Sequence, residues 1–193
     1  MGDENTESGL TLIGGIEGGP IYVVDYDEAW PEKYRTHERI IHDVLGADAL
    51  RIEHIGSTAV PGLSAKPVID ILVVVRDPAD EDSYVAALAE RGYQLRVREP
   101  ADEQHRMLRT PARDVHIHVY PKGASAIDRY VRFRDRLRAS AEDREAYANL
   151  KKELAKRDWR DRNAYAEAKT PLIQEILARS VRSPSVFESR DRN

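Results

Sequence analysis

Residues 68–75, VIDILVVV, are apolar at every position except Asp70. A short β-branched run of this kind reads as an interior strand of a sheet. Strand alternation places Asp70, Leu72 and Val74 on one face and Ile71, Val73 and Val75 on the other. A carboxylate in such a strand is costly unless a metal, a cation or hydrogen bonds accept it. The run therefore demands a sheet and raises the question of what Asp70 is for.

The segment leading into it, RIEHIGSTAVPGLSAKP, supplies a strand from about Leu50 to Ile55, a turn on Gly56 and Ser57, and a loop with Pro61, Gly62 and Pro67. Gly56 permits close backbone approach, and Ser57 offers a hydroxyl and an amide to a phosphate oxygen. Lys66 adds a cation. A Gly-Ser pair is also a common turn, and a strand-end Asp a common solvated cap, so this segment alone leaves both readings open.

Upstream, residues 1–19 are polar and glycine-rich, which reads as a flexible arm. IYVVDY supplies a first short strand. The following helix puts Trp30, Tyr34, Ile41, Val44 and Leu45 on one face, with Pro31 in its first turn and Gly46 as its stop. Downstream come a helix over PADEDSYVAALAERG, three strands at YQLRVRE, QHRMLRT and DVHIHVY, and helices near 126–139, 142–157 and 161–180. Pro171 should kink or restart the last of these. Residues 20–181 form one domain, and 182–193 a flexible tail. This order does not alternate regularly, which predicts an α+β fold: a mixed sheet with helices mainly on one side and C-terminal helices.

The strand DVHIHVY places Asp114, His116 and His118 on one face and Val115, Ile117 and Val119 on the other. Two imidazoles at i and i+2 can bind one metal or one anion, although a solvated strand face reads the same way. Beside the Asp70 strand they would complete a one-carboxylate, two-imidazole metal site, which His54 could join. Such a set favours a transition metal over Mg²⁺. In IDRYVRFRDRLRAS, one helical stripe carries Ile127, Tyr130, Val131, Arg134 and Leu137, and another Arg129, Arg132 and Arg136. Arg134 is the candidate phosphate ligand there, against the bland reading of a charged, solvated face. Tyr147, Lys151, Tyr165 and Lys169 on later stripes read as packing and snorkelling.

Cysteine is absent, which excludes thiolate nucleophiles and thiolate-zinc sites. A net charge of -4 and a pI near 5.9 argue against general nucleic-acid binding, although a local basic patch could still act on one face, and suit a small anionic ligand better. No apolar run approaches a membrane span of about 18 residues, and no secretory signal is visible; a cytoplasmic protein is expected.

Together, VVDYDEAWPEKY, IEHIGSTAVPGLSAKPVIDILV, HIHVY, FRDRLR and YANLKKELA with AYAEAKTPLI resemble the GrpB family, also called UPF0157, from about Ile21 to Ile176. The resemblance implies a nucleotidyltransferase-like superfamily with the DNA polymerase β-like fold. In that superfamily a Gly-Ser turn precedes two carboxylates separated by one residue, and these hold Mg²⁺ against a nucleoside triphosphate. Gly56, Ser57 and Asp70 match the turn and the first carboxylate. Leu72 occupies the second.

The expected function is metal-dependent nucleotidyl transfer to a small-molecule acceptor, with Gly56, Ser57, Lys66 and Arg134 on phosphate and Asp70, His116 and His118 on a divalent metal. Asp70 is then the catalytic carboxylate. The competing reading is a non-catalytic nucleotide or metabolite binding module serving a partner enzyme, such as one of coenzyme A biosynthesis. A metal-dependent hydrolase or phosphotransferase ranks below both, because the chain has neither an HExxH helix nor a thiol.

Overall fold

The computed structural model describes residues 4–7 and 9–182. Seven strands, β1 (Glu4–Glu7), β2 (Leu10–Ile13), β3 (Arg51–Ile55), β4 (Ile69–Val75), β5 (Gln94–Glu99), β6 (His105–Arg109) and β7 (Val115–Pro121), form one sheet. Their order across it is β1-β2-β5-β6-β7-β4-β3. β4 and β7 run parallel, and every other neighbouring pair is antiparallel. This is the mixed α+β sheet that the irregular element order predicts.

Helix α1 (Trp30–Leu45) begins where the Asp27 carboxylate accepts the Ala29 N–H at 2.9 Å, with Pro31 in its first turn. It ends at Gly46, whose φ of 51° suits a residue without Cβ. Trp30, Ile41 and Leu45 pack with Tyr84 and Leu88, the latter on helix α2 (Val85–Glu90), against Ile69, Ile71, Val73, Val115 and Ile117. The opposite face of β4, Leu72 and Val74, packs with Ile55 and Tyr120 under Ala126 and Ile127 of helix α3 (Ser125–Ala139). Helices α4 (Ala141–Ala155), α5 (Arg162–Glu167) and α6 (Thr170–Arg182) complete that side. Helices therefore cover both faces, with the larger share on the Asp70 side. Each aliphatic side chain fully buried in these two layers contributes roughly 1.5–3 kcal/mol of transfer free energy.

Three expectations are corrected. IYVVDY forms no strand: Val24 makes one isolated bridge to Ala65, while Ile21 and Val23 pack against Leu154 and Tyr165 and Tyr22 points outward. The alternation is real, but helices rather than strands receive its apolar side. The arm expected at 1–19 contributes β1 and β2, which extend the sheet from β5. The helix expected over residues 78–92 is confined to α2, preceded by a 3₁₀ turn at Glu81–Ser83. Pro171 restarts the last helical segment, which separates α5 from α6. The expected tail at 182–193 lies outside the described residues beyond Arg182. Among the described residues, no helix is long and apolar enough to cross a membrane.

Candidate functional site

The parallel register sets Asp70 opposite His116 and Leu72 opposite His118. Residues paired across strands share a face, so the carboxylate and both imidazoles converge. Asp70 Oδ1 lies 3.4 Å from His116 Nδ1 and 3.7 Å from His118 Nε2. Burial pushes the Asp70 carboxyl up, but hydrogen bonds and charge from the two imidazoles override it and hold the group well below the ordinary carboxylate range. One ligand atom from each of the three lies within 4.8 Å of the others. Donors about 2.1 Å from a tetrahedral ion stand about 3.4 Å apart, so small side-chain adjustments suffice to close this trio on a metal.

The turn before β4 is built against this carboxylate. Gly56 adopts φ 72° and ψ -171°, a conformation nearly restricted to glycine. A Cβ at this position would stand 3.0 Å from Asp70 Cβ and collide with Oδ2. Two constraints thus require glycine. Thr58 Oγ1 donates to the Val68 carbonyl at 3.0 Å and lies 3.1 Å from His54 Nε2, bracing the turn against the start of β4. Val60 and Leu63, from the loop that follows, are fully buried against Leu137, Tyr147 and Ile176.

A cavity of about 710 Å³ opens over this face of the sheet, lined by Gly56, Ser57, Lys66, Asp70, His116 and His118. Its size suits a nucleotide-sized ligand. The helical wall adds Tyr147 and Lys151 of α4, Tyr165 of α5, and Lys169, which precedes α6. Lys151 is almost fully buried and donates to Ser57 Oγ at 3.0 Å and to the Ser64 carbonyl. Burial, reinforced by Lys169 and Lys152, brings its pKa down to about 7. Desolvation brings Lys169 down to about 8 against the pull of Asp70. Their ammonium groups stand 4.8 Å and 4.7 Å from the ring centres of Tyr147 and Tyr165.

From sequence alone these two lysines read as packing and snorkelling. Their missed signal is the spacing: Tyr147 with Lys151 and Tyr165 with Lys169 are both i, i+4 pairs on the apolar stripes of their segments, which directs each cation inward. His105 was also missed. Its Nε2 lies 3.1 Å from His118 Nδ1, and its Nδ1 3.2 Å from Glu99 Oε2. This chain fixes the His118 ring from behind, as outer partners do for metal-binding imidazoles.

Two residues do not join the constellation. Arg134, expected on phosphate, stands outside the cavity wall, because its guanidinium turns toward β3 and donates to Glu53 Oε2 at 2.7 Å and the His54 carbonyl at 2.9 Å. A third bond reaches Asp135 at 2.8 Å. Its charge is committed to two carboxylates. On α3 it is Arg129 that lines the cavity. His54 pairs with Ile71 and so projects from the opposite face, where it stacks on Tyr34 at 4.6 Å. Strand parity separates it from Asp70.

The family profile described as GrpB protein matches residues 20–179. A UPF0157 protein of Streptomyces coelicolor is 52% identical over 171 residues, covering 89% of this chain and 90% of its own. The crystal structure of the conserved protein GrpB from Enterococcus faecalis superposes with a TM-score of 0.69 at 30% identity, covering 83% of this chain and 97% of that one. A more distant likeness, with a TM-score of 0.41 at 12% identity over 67% of this chain and 44% of the other, is to the Cid1 poly(U) polymerase. With a profile that spans most of the sheet, the cavity and its helical wall, the chain belongs to the GrpB family.

Proposed function

We propose that the cavity binds a nucleoside triphosphate with a divalent metal, and that the protein transfers the nucleotidyl group to a small acceptor. The observation that carries this reading is the closure of the Gly56–Ser57 turn directly onto Asp70, beside the inward-facing Lys151 and Lys169. A turn that leaves no room for a Cβ puts backbone amides and a carboxylate within one ligand's reach. Nucleotidyl transfer joins the α-phosphorus to an acceptor oxygen and releases pyrophosphate. Lysines in a low-dielectric wall gain their charge more readily when a polyphosphate enters. Ser57 orients Lys151, and His105 orients His118. A metal held by Asp70, His116 and His118 would supply polarisation of a phosphoryl oxygen.

A second reading, a binding module without turnover, is favoured by one observation: Leu72 is completely buried where the superfamily's second carboxylate would stand. Calorimetry with Mn²⁺, Zn²⁺ and Mg²⁺, with and without a non-cleavable ATP analogue, tests the shared binding claim. Wild type should bind nucleotide and metal together, with a preference for a transition metal when nucleotide is absent. Asp70→Asn and the His116→Ala, His118→Ala double variant should lose the metal. Equal metal binding by all three proteins would sink the site. Pyrophosphate release from ATP, GTP, CTP or UTP then separates enzyme from module.

A further inference from the structure

The cavity holds a second charged cluster, on the side of β5 and β6. Arg109 donates from both terminal nitrogens to the carboxylate of Glu17, at 2.8 Å and 2.7 Å. Arg113 Nη2 lies 3.2 Å, and Arg96 Nη2 3.9 Å, from Glu17 Oε1. Three guanidiniums thus face one carboxylate. Arg96 and Arg109 are only 7% and 16% exposed, yet Arg96, Arg109 and Glu17 all line the cavity. The Arg109 hydrogen bonds hold the Glu17 carboxyl down to about 2, against the opposing effect of burial.

Register ties this cluster to the Asp70 site. Arg109 pairs with His116, which pairs with Asp70, so all three project from one face in a single row. Adjacent strands stand about 4.8 Å apart, which sets the Arg109 backbone roughly 10 Å from that of Asp70. That separation is within the span of one small molecule. Glu17 itself arrives on a strap after β2, in which Gly14 and Gly15 have positive φ and Ile16 is exposed. Arg96 holds the strap backbone by donating to the Ile13 and Gly15 carbonyls. The backbone anchors are therefore separate from the carboxylate's own bonds to Arg109.

We propose that Arg109 and Arg113, with Arg96 adding charge, form an anion subsite for the carboxylate of a small acidic acceptor, and that Glu17 is the chain's own occupant of it. A planar, bidentate partner is what Arg109 already holds, and a carboxylate reproduces that geometry. The word acceptor rests on the nucleotidyl-transfer reading; the anion subsite does not.

Succinate and inorganic phosphate are the probes, titrated by calorimetry into wild type, Glu17→Gln, and Glu17→Gln combined with Arg109→Gln. An internal competitor at an effective concentration on the order of millimolar should weaken an external anion by about tenfold or more. Glu17→Gln should therefore bind succinate at least about tenfold more tightly than wild type, and Arg109→Gln should abolish the gain. Unchanged affinity in Glu17→Gln, or equal affinity with Arg109 removed, overturns the subsite. Phosphate binding more tightly than succinate overturns the carboxylate assignment. Should Glu17→Gln not fold, the half-exposed Arg113→Gln in the otherwise native chain must still weaken succinate at least about fivefold, and no change there refutes the proposal. A parallel titration with the non-cleavable ATP analogue separates the two readings. Succinate binding gated by Glu17 without nucleotide binding removes the nucleotide, whereas nucleotide binding without succinate binding removes the subsite.

Discussion

Gly56→Ala tests whether the turn and the carboxylate form one unit. The substitution meets two separate costs. Backbone strain at φ 72° and ψ -171° applies to any residue with a Cβ and is about 1–3 kcal/mol. Collision of that Cβ with Asp70 adds roughly 1–3 kcal/mol, the usual cost of overfilling a packed site. The sum, about 2–6 kcal/mol, is a large share of the roughly 5–15 kcal/mol that stabilises a domain. Urea unfolding of wild type, Gly56→Ala, Asp70→Ala and the double variant isolates the second cost, because backbone strain is common to both alanine-56 proteins and cancels. Removing the carboxylate eliminates the collision with Oδ2 and the contact with Cγ, and leaves the contact with Cβ at 3.0 Å. Gly56→Ala should therefore cost about 1–2 kcal/mol less in the Asp70→Ala background, a coupling typical of touching residues. If the cost is the same in both backgrounds, the turn is not built around Asp70, and the principal support for the nucleotide reading is lost.

Further expectations concern the walls of the cavity. In the unfolded chain Lys151 keeps its proton to about its ordinary 10.5, whereas in the fold it loses it near 7, so the unfolded state binds more protons between those values and stability rises with pH across that window. The stability difference between wild type and Lys151→Met, followed by urea unfolding from pH 7 to 9, should change in favour of wild type; a flat difference refutes the buried-lysine argument. Arg134→Met should cost about 1–3 kcal/mol, since it leaves the half-buried Glu53 without its strongest partner, yet should leave the affinity for the ATP analogue unchanged. A loss of nucleotide affinity at constant stability would restore Arg134 to the phosphate site. His105→Gln should weaken metal binding by about 10–100-fold through the His118 ring, read by metal titration, and equal affinity would show that the ring needs no support from behind.

Much of this site is legible in sequence because strands obey parity. VIDILVVV and DVHIHVY each declare which residues share a face, and two neighbouring apolar strands then need only the correct pairing to join Asp70 with His116 and His118. His54 is excluded only by the β3–β4 register, which pairs it with Ile71 and turns it to the opposite face. What could not be read is whatever depends on a partner distant in sequence. Arg134 shows the same helical spacing whether it meets phosphate or Glu53, and only the docking of α3 on β3 decides between them. Ile21 and Val23 alternate like a strand but meet α4 and α5. Glu17 belongs to a polar, glycine-rich segment without periodicity, and its meaning comes from arginines far downstream on β5, β6 and the turn after β6.

Leu72 shows why β4 offers the cavity only one carboxylate, Asp70. It is fully buried with Ile55, Val74 and Tyr120 beneath Ala126 and Ile127, so the position two residues beyond Asp70 on the same face of β4 is sealed under α3. A carboxylate buried there would be desolvated, and Leu72→Asp should cost several kcal/mol rather than add a ligand. The donors that remain must come from neighbouring strands, and β7 offers imidazoles at both positions facing β4. One carboxylate with two imidazoles is a softer donor set than the oxygen-only, water-rich coordination preferred by Mg²⁺, and on the proposed reading it would suit Zn²⁺ or Mn²⁺ better.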